Sequence, residues 1–389
     1  MTTARPYSGV RILDLTRELG GYATRLFADL GAEVVRVEPP EGASDRRRPP
    51  PLPGLNSDVP GGAPVAFLAA NKASVTLDLG EEAGLATFAA LARTAQILAI
   101  EPGPDQPDVT AEALAANPAL VVAIFSHFGL GGPHSGWLGS DLVTQAAGGL
   151  AWLSGTPDEA PLRVAGEQTP MVASLYGAVA MGIALWDAEL RGRGHVIDVS
   201  AQECIAHSLQ NAVQVYDLEK RISRRGGEGT RDCSEDMFRC KDGWVFLAAP
   251  PTLGISWRQL VAWMAEAGHP EASRLGEPKW LDRPWRNTAP AKAEFRAIFE
   301  SFLADRTQLD LTEEALRRKV VLSPVARISE TVKDPQLVYR NYFVEVPHPA
   351  LGRNLTFPGA PFRLSRPVWH IDRPAPAVGQ DNDRILAGL

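Results

Sequence analysis

The sequence contains few cysteines and no long apolar run. Its 389 residues include three cysteines, Cys204, Cys233 and Cys240, and no C-x-x-C pair. So few cysteines cannot supply a disulfide framework for a chain of this length, which agrees with a reducing compartment. No stretch approaches the roughly 18 uninterrupted apolar residues of a membrane span, and the N-terminus lacks a signal-peptide pattern. We therefore expect a cytoplasmic protein that does not enter a membrane.

The chain also lacks an excess of positive charge. Lysine and arginine total 39 against 46 aspartates and glutamates, so the formal net charge is −7 at pH 7. Nucleic acids and anionic membrane surfaces are bound by basic patches, so we expect neither as a partner. The composition favours small-molecule partners.

The common nucleotide, nucleophile and metal motifs are absent. There is no G-x-G-x-x-G after a strand, no G-x-x-x-x-G-K loop and no G-x-S-x-G elbow. The seven histidines lack metal-site spacing, so we expect no metal. His127 and His134 flank a glycine-rich turn, where polar loop residues are the ordinary interpretation and a catalytic role is the alternative.

Apolar strands and helices alternate through the first half of the chain. This alternation predicts a Rossmann-like α/β fold, a mainly parallel sheet covered by helices on both faces. Apolar residues recur every three or four positions over residues 170–190, with Thr169 as the N-cap and Pro170 at the first helical position, and they predict the clearest helix. The predicted strands are residues 9–15, 33–38, 74–79, 96–100, 120–125 and 195–200.

The length is sufficient for about two domains. We predict that residues 1–222 form the N-terminal part of a large domain, that residues 223–328 form a smaller α+β domain, and that residues 329–389 return to the large domain. Residues 39–64, rich in proline, glycine and arginine, predict a loop.

Six segments, in the same order, resemble the class III CoA-transferases, the family of formyl-CoA transferase, carnitine CoA-transferase and α-methylacyl-CoA racemase. The resemblance implies a large domain built from both chain ends, a smaller domain between them, and two chains threaded through each other as interlocked rings. It also implies a CoA thioester as substrate and no covalently bound cofactor. The six segments are residues 9–21, 26–40, 71–79, 128–133, 140–164 and 191–200.

The same resemblance implies a catalytic aspartate near the start of the helix that follows residues 140–164. That carboxylate attacks the thioester to form a mixed anhydride, CoA reopens it to an aspartyl-CoA thioester, and the acceptor acid then takes the CoA. The family's P-x-x-D-x-x-x-G motif reads Pro170 to Gly177 here, with Ala173 in place of the aspartate and Ser174 beside it. We assign no catalytic residue, and we consider Glu167 and Asp141 as substitutes.

Other positions also depart from the family pattern. Tyr22 replaces the proline of a turn that faces CoA, and Glu101 lies where the family has an asparagine that contacts CoA, so an acid there would oppose a phosphate-bearing ligand. Ser140 replaces the histidine of the racemase His-Asp pair, and residues 250–254 are stiffer than the family's glycine loop. The positions that match the family's CoA-binding set are Arg17, Arg36, Arg46 and Lys72.

These features predict the non-catalytic subunit of a heteromeric CoA-transferase. A paralogous partner would supply the aspartate, and the complex would move CoA between an acyl-CoA and a carboxylic acid. One alternative is an active homodimeric enzyme on CoA thioesters that uses Glu167, Asp141 or a histidine of residues 127–134. The other is a binding or regulatory protein that keeps only the fold.

Overall fold

Two compact units make up the chain in the computed structural model, which describes residues 5–52, 62–103, 107–156, 158–225 and 231–389. The first unit comprises Met1–Ala151, Leu162–Val213 and Pro335–Leu389, and the second comprises Trp152–Pro161 and Gln214–Asp334. The first unit therefore draws on both ends of the chain.

A six-stranded parallel sheet forms the centre of the first unit, in the order β3-β2-β1-β4-β5-β6. Leu13 of β1 lies opposite Val35 of β2 on one side and Leu98 of β4 on the other. Parallel strands are buried on both faces, which explains their near-continuous runs of apolar residues. The predicted parallel α/β fold is confirmed. The strands are β1 (Arg11–Leu15), β2 (Glu33–Glu38), β3 (Ala73–Thr76), β4 (Ile97–Ile100), β5 (Val121–Ser126) and β6 (Val196–Ser200).

Helices cover both faces of this sheet. Side chains alternate across a strand, so Ile12 joins the core formed with α1 and α7, whereas Leu13 joins the core formed with α3 and α4. The helices up to the second unit are α1 (Gly21–Asp29), α2 (Ala63–Leu68), α3 (Glu82–Thr94), α4 (Thr110–Ala116), α5 (Asp141–Ala147), α6 (Leu150–Leu153), α7 (Gln168–Arg191), α8 (Ala201–Ser208) and α9 (Gln210–Glu219).

The second unit packs helices on a small antiparallel sheet. Its strands β7 (Asp236–Arg239), β8 (Trp244–Leu247) and β9 (Leu322–Pro324) lie in the order β7-β8-β9. The buried guanidinium of Arg286 donates to Asp232 at 2.6 Å and lies 3.9 Å from the Trp257 ring centre. Its helices are α10 (Ser256–Glu266), α11 (Arg283–Arg286), α12 (Ala289–Leu303), α13 (Gln308–Arg318) and α14 (Ile328–Thr331), with 3-10 turns at Ala272–Gly276 and Pro278–Leu281.

The last part of the chain adds a hairpin and a docked helix to the first unit. After α15 (Pro335–Tyr339), strands β10 (Phe343–His348) and β11 (Arg353–Pro358) pair in antiparallel fashion around the 3-10 turn Pro349–Leu351. The short helix α16 (Asn382–Leu386) lies beside β3, because the Ser74 and Thr76 amides donate to the side chains of Asp381 and Asn382. The C-terminus thereby covers the β3 end of the sheet.

The predicted loop over residues 39–64 was wrong for Ser44–Arg47, which form a 3-10 helix, and for its last two residues, which begin α2. Ion pairs hold this turn against β2, because Arg36 binds Asp45 and Arg46 binds Glu38. Proline and glycine content does not reveal such pairs. Residues 53–61 of the segment lie outside the described part of the chain.

The helix predicted over residues 170–190 is α7, and it extends from Gln168 to Arg191. Small residues let it approach the sheet closely, since a Cβ atom on Gly177 would lie 2.3 Å from the Phe125 ring. Among the described helices, α7 alone is long and apolar enough to cross a membrane, judged by length and composition only. Its length and composition do not by themselves indicate a membrane span, because a helix buried between protein surfaces has the same composition.

We expect Gly177→Ala to destabilise the protein by about 1–3 kcal/mol, because the added methyl group would overlap the Phe125 ring. Gly182→Ala is the matched control in the same helix, where a Cβ atom would lie 3.5 Å from the Tyr7 hydroxyl, an ordinary contact. Urea unfolding measures both changes. Equal stability of the two variants would contradict the close packing of α7 on β5.

Candidate functional site

The strand order creates a topological switch point between β1 and β4. From β1 the chain builds the sheet outward through β2 and β3, and it then returns to build β4, β5 and β6 on the other side. In open α/β sheets, ligands bind outside the carboxyl ends of the strands at such a point. A cavity of about 310 Å³ lies there, lined by residues that directly follow β1, β4 and β5, including Arg17, Glu101 and His127. We call it the switch-point cavity.

Glu101 closes the β1 side of the switch-point cavity. Its Oε2 atom accepts the backbone N–H groups of Arg17 at 3.0 Å, Glu18 at 2.8 Å and Leu19 at 2.9 Å. Burial raises the pKa of Glu101 above its usual value, and the three backbone donors partly oppose this rise. Glu101, the acid that we expected to oppose a phosphate-bearing ligand, therefore has its hydrogen-bond donors within the protein.

Of the predicted CoA-binding cations, Arg17 lines the switch-point cavity, whereas Lys72 is fully buried and is not among the residues that line it. The Lys72 ammonium donates to Asp14 Oδ2 at 2.7 Å, to the Gly21 carbonyl at 2.9 Å and to Thr24 Oγ1 at 2.7 Å. These bonds use all three of its donors.

Arg36 and Arg46 are also buried in contacts within the protein. Arg36 pairs with Asp45, and its Nε atom lies 3.3 Å from Glu38 Oε1. Arg46 donates to Glu38 Oε2 at 2.6 Å and to the Pro376 carbonyl at 3.0 Å. Burial acts to raise the pKa of Glu38, but the Arg46 hydrogen bond and the two arginine charges hold it well below its usual range. A role of these cations in CoA binding stays a prediction.

Ala173 lies on the sheet side of α7 and is fully buried, in the same core as Phe125. The neighbouring Ser174 hydroxyl donates to the Leu19 carbonyl at 2.6 Å, which joins α7 to the loop after β1. At Ala173 the helix therefore presents a methyl group and no ionisable atom.

Asp141, the first residue of α5, holds the start of α7. Its Oδ1 atom accepts the Thr169 amide at 2.9 Å, and its carboxylate also accepts Gln145 and the Arg163 Nε–H at 2.8 Å. Burial acts to raise the pKa of Asp141, but the hydrogen bonds from Gln145, Thr169 and Arg163 lower it below its usual value. The predicted Thr169 N-cap was wrong, because the helix begins at Gln168 and a distant carboxylate binds its first turn.

Glu167 directly precedes α7 and binds an arginine of the predicted loop. Its Oε1 atom lies 2.6 Å from Arg48 Nη2, which is also 3.7 Å from Glu18. The Glu167 side chain is about a third exposed. Of the two candidate carboxylates, Glu167 is therefore the more accessible one.

The two loop histidines occupy different environments. His127 lines the switch-point cavity, its Nδ1 atom lies 2.8 Å from Thr144 Oγ1, and burial lowers its pKa. His134 stacks on Trp137 with ring centres 3.8 Å apart. Trp137 also lines the cavity. The sequence did not predict this residue as part of a site, because no motif includes it.

Two further sequence predictions concern the loop after β8 and metal binding. Residues 250–254 follow β8 in the second unit, where the Leu253 amide donates to the Pro250 carbonyl at 2.9 Å.

Within the described residues, no group of three or more histidines, cysteines, aspartates or glutamates is arranged to hold a metal ion.

A second, apolar cavity of about 660 Å³ lies between α1, the outer side of α7 and residues 361–369. Ile183 and Trp186 of α7 are each 66% exposed in it. Tyr22 lies in this cavity and not in the switch-point cavity. We call it the apolar groove, lined by Tyr7, Tyr22, Leu26, Phe27, Leu30, Leu175, Ala178, Val179, Gly182, Ile183, Trp186, Pro361, Phe362 and Trp369.

We expect Lys72→Met to destabilise the protein by about 3–5 kcal/mol, because it leaves the buried Asp14 carboxylate without its cation. Lys333→Met, at an exposed position, is the control and should change stability by less than about 0.5 kcal/mol. Urea unfolding decides the matter. A fully stable Lys72→Met protein would contradict the structural role of the ion pair.

Asp141→Asn should cost about 1–2 kcal/mol at pH 7, because charged hydrogen bonds to α7 and Arg163 are lost. The folded-state pKa of Asp141 is lowered, so its stabilisation is complete above the usual value of 3.8 and is lost as the pH falls through the folded pKa. The difference from wild type should therefore shrink in acid. Asp158→Asn, at an exposed position, is the control. An unfolding difference that is constant with pH would rule out this role.

Known proteins resemble this chain along nearly all of its length. A family profile described as CoA-transferase family III matches residues 7–382. The chain is 33% identical over 390 residues to succinyl-CoA:(R)-benzylsuccinate CoA-transferase subunit BbsE of Thauera aromatica, covering 98% of this chain and 93% of that one. It is 29% identical to the succinyl-CoA–L-malate CoA-transferase alpha subunit of Chloroflexus aurantiacus, covering 99% and 89%.

Solved structures share the fold. A CaiB/BaiF family protein from Brucella suis superimposes with a TM-score of 0.87 at 22% identity, covering 99% of this chain and all of that one. The family profile, the relatives and the parallel sheet agree with the resemblance seen in the sequence. The chain therefore belongs to CoA-transferase family III, the CaiB/BaiF family, whose members act on CoA thioesters.

Proposed function

We propose that this chain is the non-catalytic subunit of a heteromeric class III CoA-transferase. In the complex, a paralogous subunit supplies the aspartate, and CoA passes between an acyl-CoA and a carboxylic acid. The observation that carries the proposal is the buried methyl group of Ala173 at the aspartate position of the family motif.

The reaction explains why this position matters. A carboxylate that attacks a thioester forms an anhydride, which is energetic enough for a thiolate to reopen into a new thioester. Alanine cannot form an acyl intermediate. Ser174 would form a stable ester, and its hydroxyl already donates to the Leu19 carbonyl.

The surroundings of the two substitute carboxylates support the same conclusion. Asp141 would have to give up its bonds to Thr169 and Arg163 before it attacked a thioester, which would release the start of α7. Glu167 is paired with Arg48, so its charge is already engaged. An active homodimer that uses either residue, or a histidine of residues 127–134, remains one alternative. A binding or regulatory protein is the second alternative.

The apolar groove is an argument that this protein binds a partner chain. Monomeric proteins rarely expose a contiguous apolar surface of this kind, and such surfaces mark contacts with other proteins. The relatives from Thauera aromatica and Chloroflexus aurantiacus are both named as subunits. We propose that the groove is covered in an interlocked dimer with the catalytic paralogue.

The proposed location is the cytoplasm. The three cysteines are buried and unpaired thiols, as expected in a reducing compartment. CoA remains the proposed ligand. Arg17, which lines the switch-point cavity, is the proposed cation for contact with CoA, while Arg36, Arg46 and Lys72 would act by shaping the loops around the cavity.

Co-expression with a paralogue that retains the motif aspartate tests the proposal. We expect the chain alone to show no CoA transfer and the purified complex to exceed the paralogue alone by at least about tenfold, because the paralogue alone lacks its dimer partner. Replacing the paralogue's aspartate by alanine should abolish transfer. Mass spectrometry of acyl-CoA mixtures, with succinyl-CoA as the first donor, measures turnover.

The alternatives predict different results in the same assays. Turnover by the chain alone that is lost in Glu167→Gln or Asp141→Asn would establish an active homodimer. Tight CoA binding without turnover and without a partner would indicate a binding protein. Failure of the chain to raise the paralogue's activity would contradict the proposed subunit role.

A further inference from the structure

We propose that the backbone N–H groups of Arg17, Glu18 and Leu19 form an oxyanion-binding site, and that the Glu101 carboxylate fills it as an internal plug. We call these three groups the N–H triad. The plug would exclude phosphate and carboxylate groups of ligands from this part of the switch-point cavity. This inference goes beyond the proposed function, since it concerns binding and not group transfer.

The geometry of the N–H triad supports an anion site. Three successive N–H groups converge on one oxygen atom, Glu101 Oε2, at 2.8 to 3.0 Å. Successive backbone N–H groups that point into one concavity are a common way to bind anions. The triad precedes α1, which begins at Gly21, so the site belongs to the loop and not to a helix end.

The cavity beside the triad provides an independent indication. The switch-point cavity includes both Glu101 and Arg17 in its lining, and its volume of about 310 Å³ lies at the lower end of the range for small-molecule sites. Arg17 is cationic. Without the Glu101 charge, this wall of the cavity would present three N–H donors beside the charge of the Arg17 guanidinium, whose Nη1 donates to the Thr16 carbonyl at 2.9 Å. Such an environment suits an oxyanion.

The sheet holds the plug in place. Glu101 directly follows β4, and its own amide donates to the Leu15 carbonyl at the end of β1 at 3.4 Å. The carboxylate is therefore attached to the same two strands that position the triad. A group attached by so short a connection competes at an effective concentration of the order of millimolar or more, which outweighs weakly bound ligand anions.

The test removes the plug and measures anion binding to the full chain. Glu101→Ala vacates the triad, whereas Glu101→Gln keeps an oxygen acceptor of the same reach. Glu112→Ala, at an exposed position on α4, removes the same charge elsewhere. Titration calorimetry with inorganic phosphate, succinate and CoA compares the variants with wild type.

We expect Glu101→Ala to bind inorganic phosphate at least about tenfold more tightly than wild type, with Glu101→Gln and Glu112→Ala close to wild type. A gain for phosphate and CoA but not for succinate would assign the site to phosphate groups, and a gain for succinate would assign it to carboxylates. Equal phosphate affinity of Glu101→Ala and Glu112→Ala would overturn the proposal.

Thermal unfolding gives a second measurement, which remains informative when the Glu101→Ala substitution lowers the stability of the protein. Glu101→Ala leaves three backbone donors without the carboxylate, so we expect a lowered Tm that phosphate restores. Phosphate should not change the Tm of wild type. Should Glu101→Ala not fold, Glu101→Asn, whose shorter side chain withdraws from the triad, is measured instead. A lowered Tm that phosphate leaves unchanged would also overturn the proposal.

Discussion

The buried ion pair between Lys72 and Asp14 is the interaction on which the rest of the first unit depends. Its 2.7 Å contact joins the start of β3 to the end of β1, and Lys72 also binds the Gly21 carbonyl at the start of α1. Asp14 further accepts the Thr16 amide at 3.0 Å. A charge pair this deep is stable only when its remaining hydrogen-bonding groups are satisfied. Hydrogen bonds from the pair to Thr16 and Gly21 satisfy these groups and fix the course of the loop after β1.

That loop positions the features that bear on function. It presents the N–H triad to Glu101 and the Leu19 carbonyl to Ser174 of α7. The helix is in turn anchored at its start by Asp141 and packed against Phe125. Ala173 therefore lies in a densely packed part of the molecule. A packed alanine at this position agrees with the proposal of a subunit that supports chemistry carried out by a partner chain.

The two sides of α7 have different roles. The inner side is made of small residues and packs on the sheet, while the outer side forms one wall of the apolar groove with exposed side chains such as Ile183 and Trp186. Apolar residues all around a helix predict burial on all sides. The sheet provides this on one side. We propose that a second chain buries the other side, which would explain why a helix of this protein is long and apolar enough to cross a membrane.

Much of the fold was predictable from local patterns. The strands follow from continuous apolar runs, because parallel strands are buried on both faces, and α7 follows from apolar residues that recur every three or four positions. The family also followed from the sequence, since six motifs occur in order. The alanine at position 173 is likewise a property of the sequence. Patterns failed at Ser44–Arg47 and at Thr169, where ion pairs and hydrogen bonds from other parts of the chain determine the structure.

The sequence by itself therefore determined the fold class, the family and the residue at the aspartate position. Only the tertiary structure decided which charged residues are structural and which line a cavity. It buried Lys72, Arg36 and Arg46 with acids from distant segments, left Arg17 at the switch-point cavity, and placed Glu101 against three backbone amides. The physical reason is that the role of a charged side chain depends on its partners and its burial, which a sequence does not show. Every residue except proline carries a backbone N–H group, so the sequence does not show which of these groups converge on one acceptor.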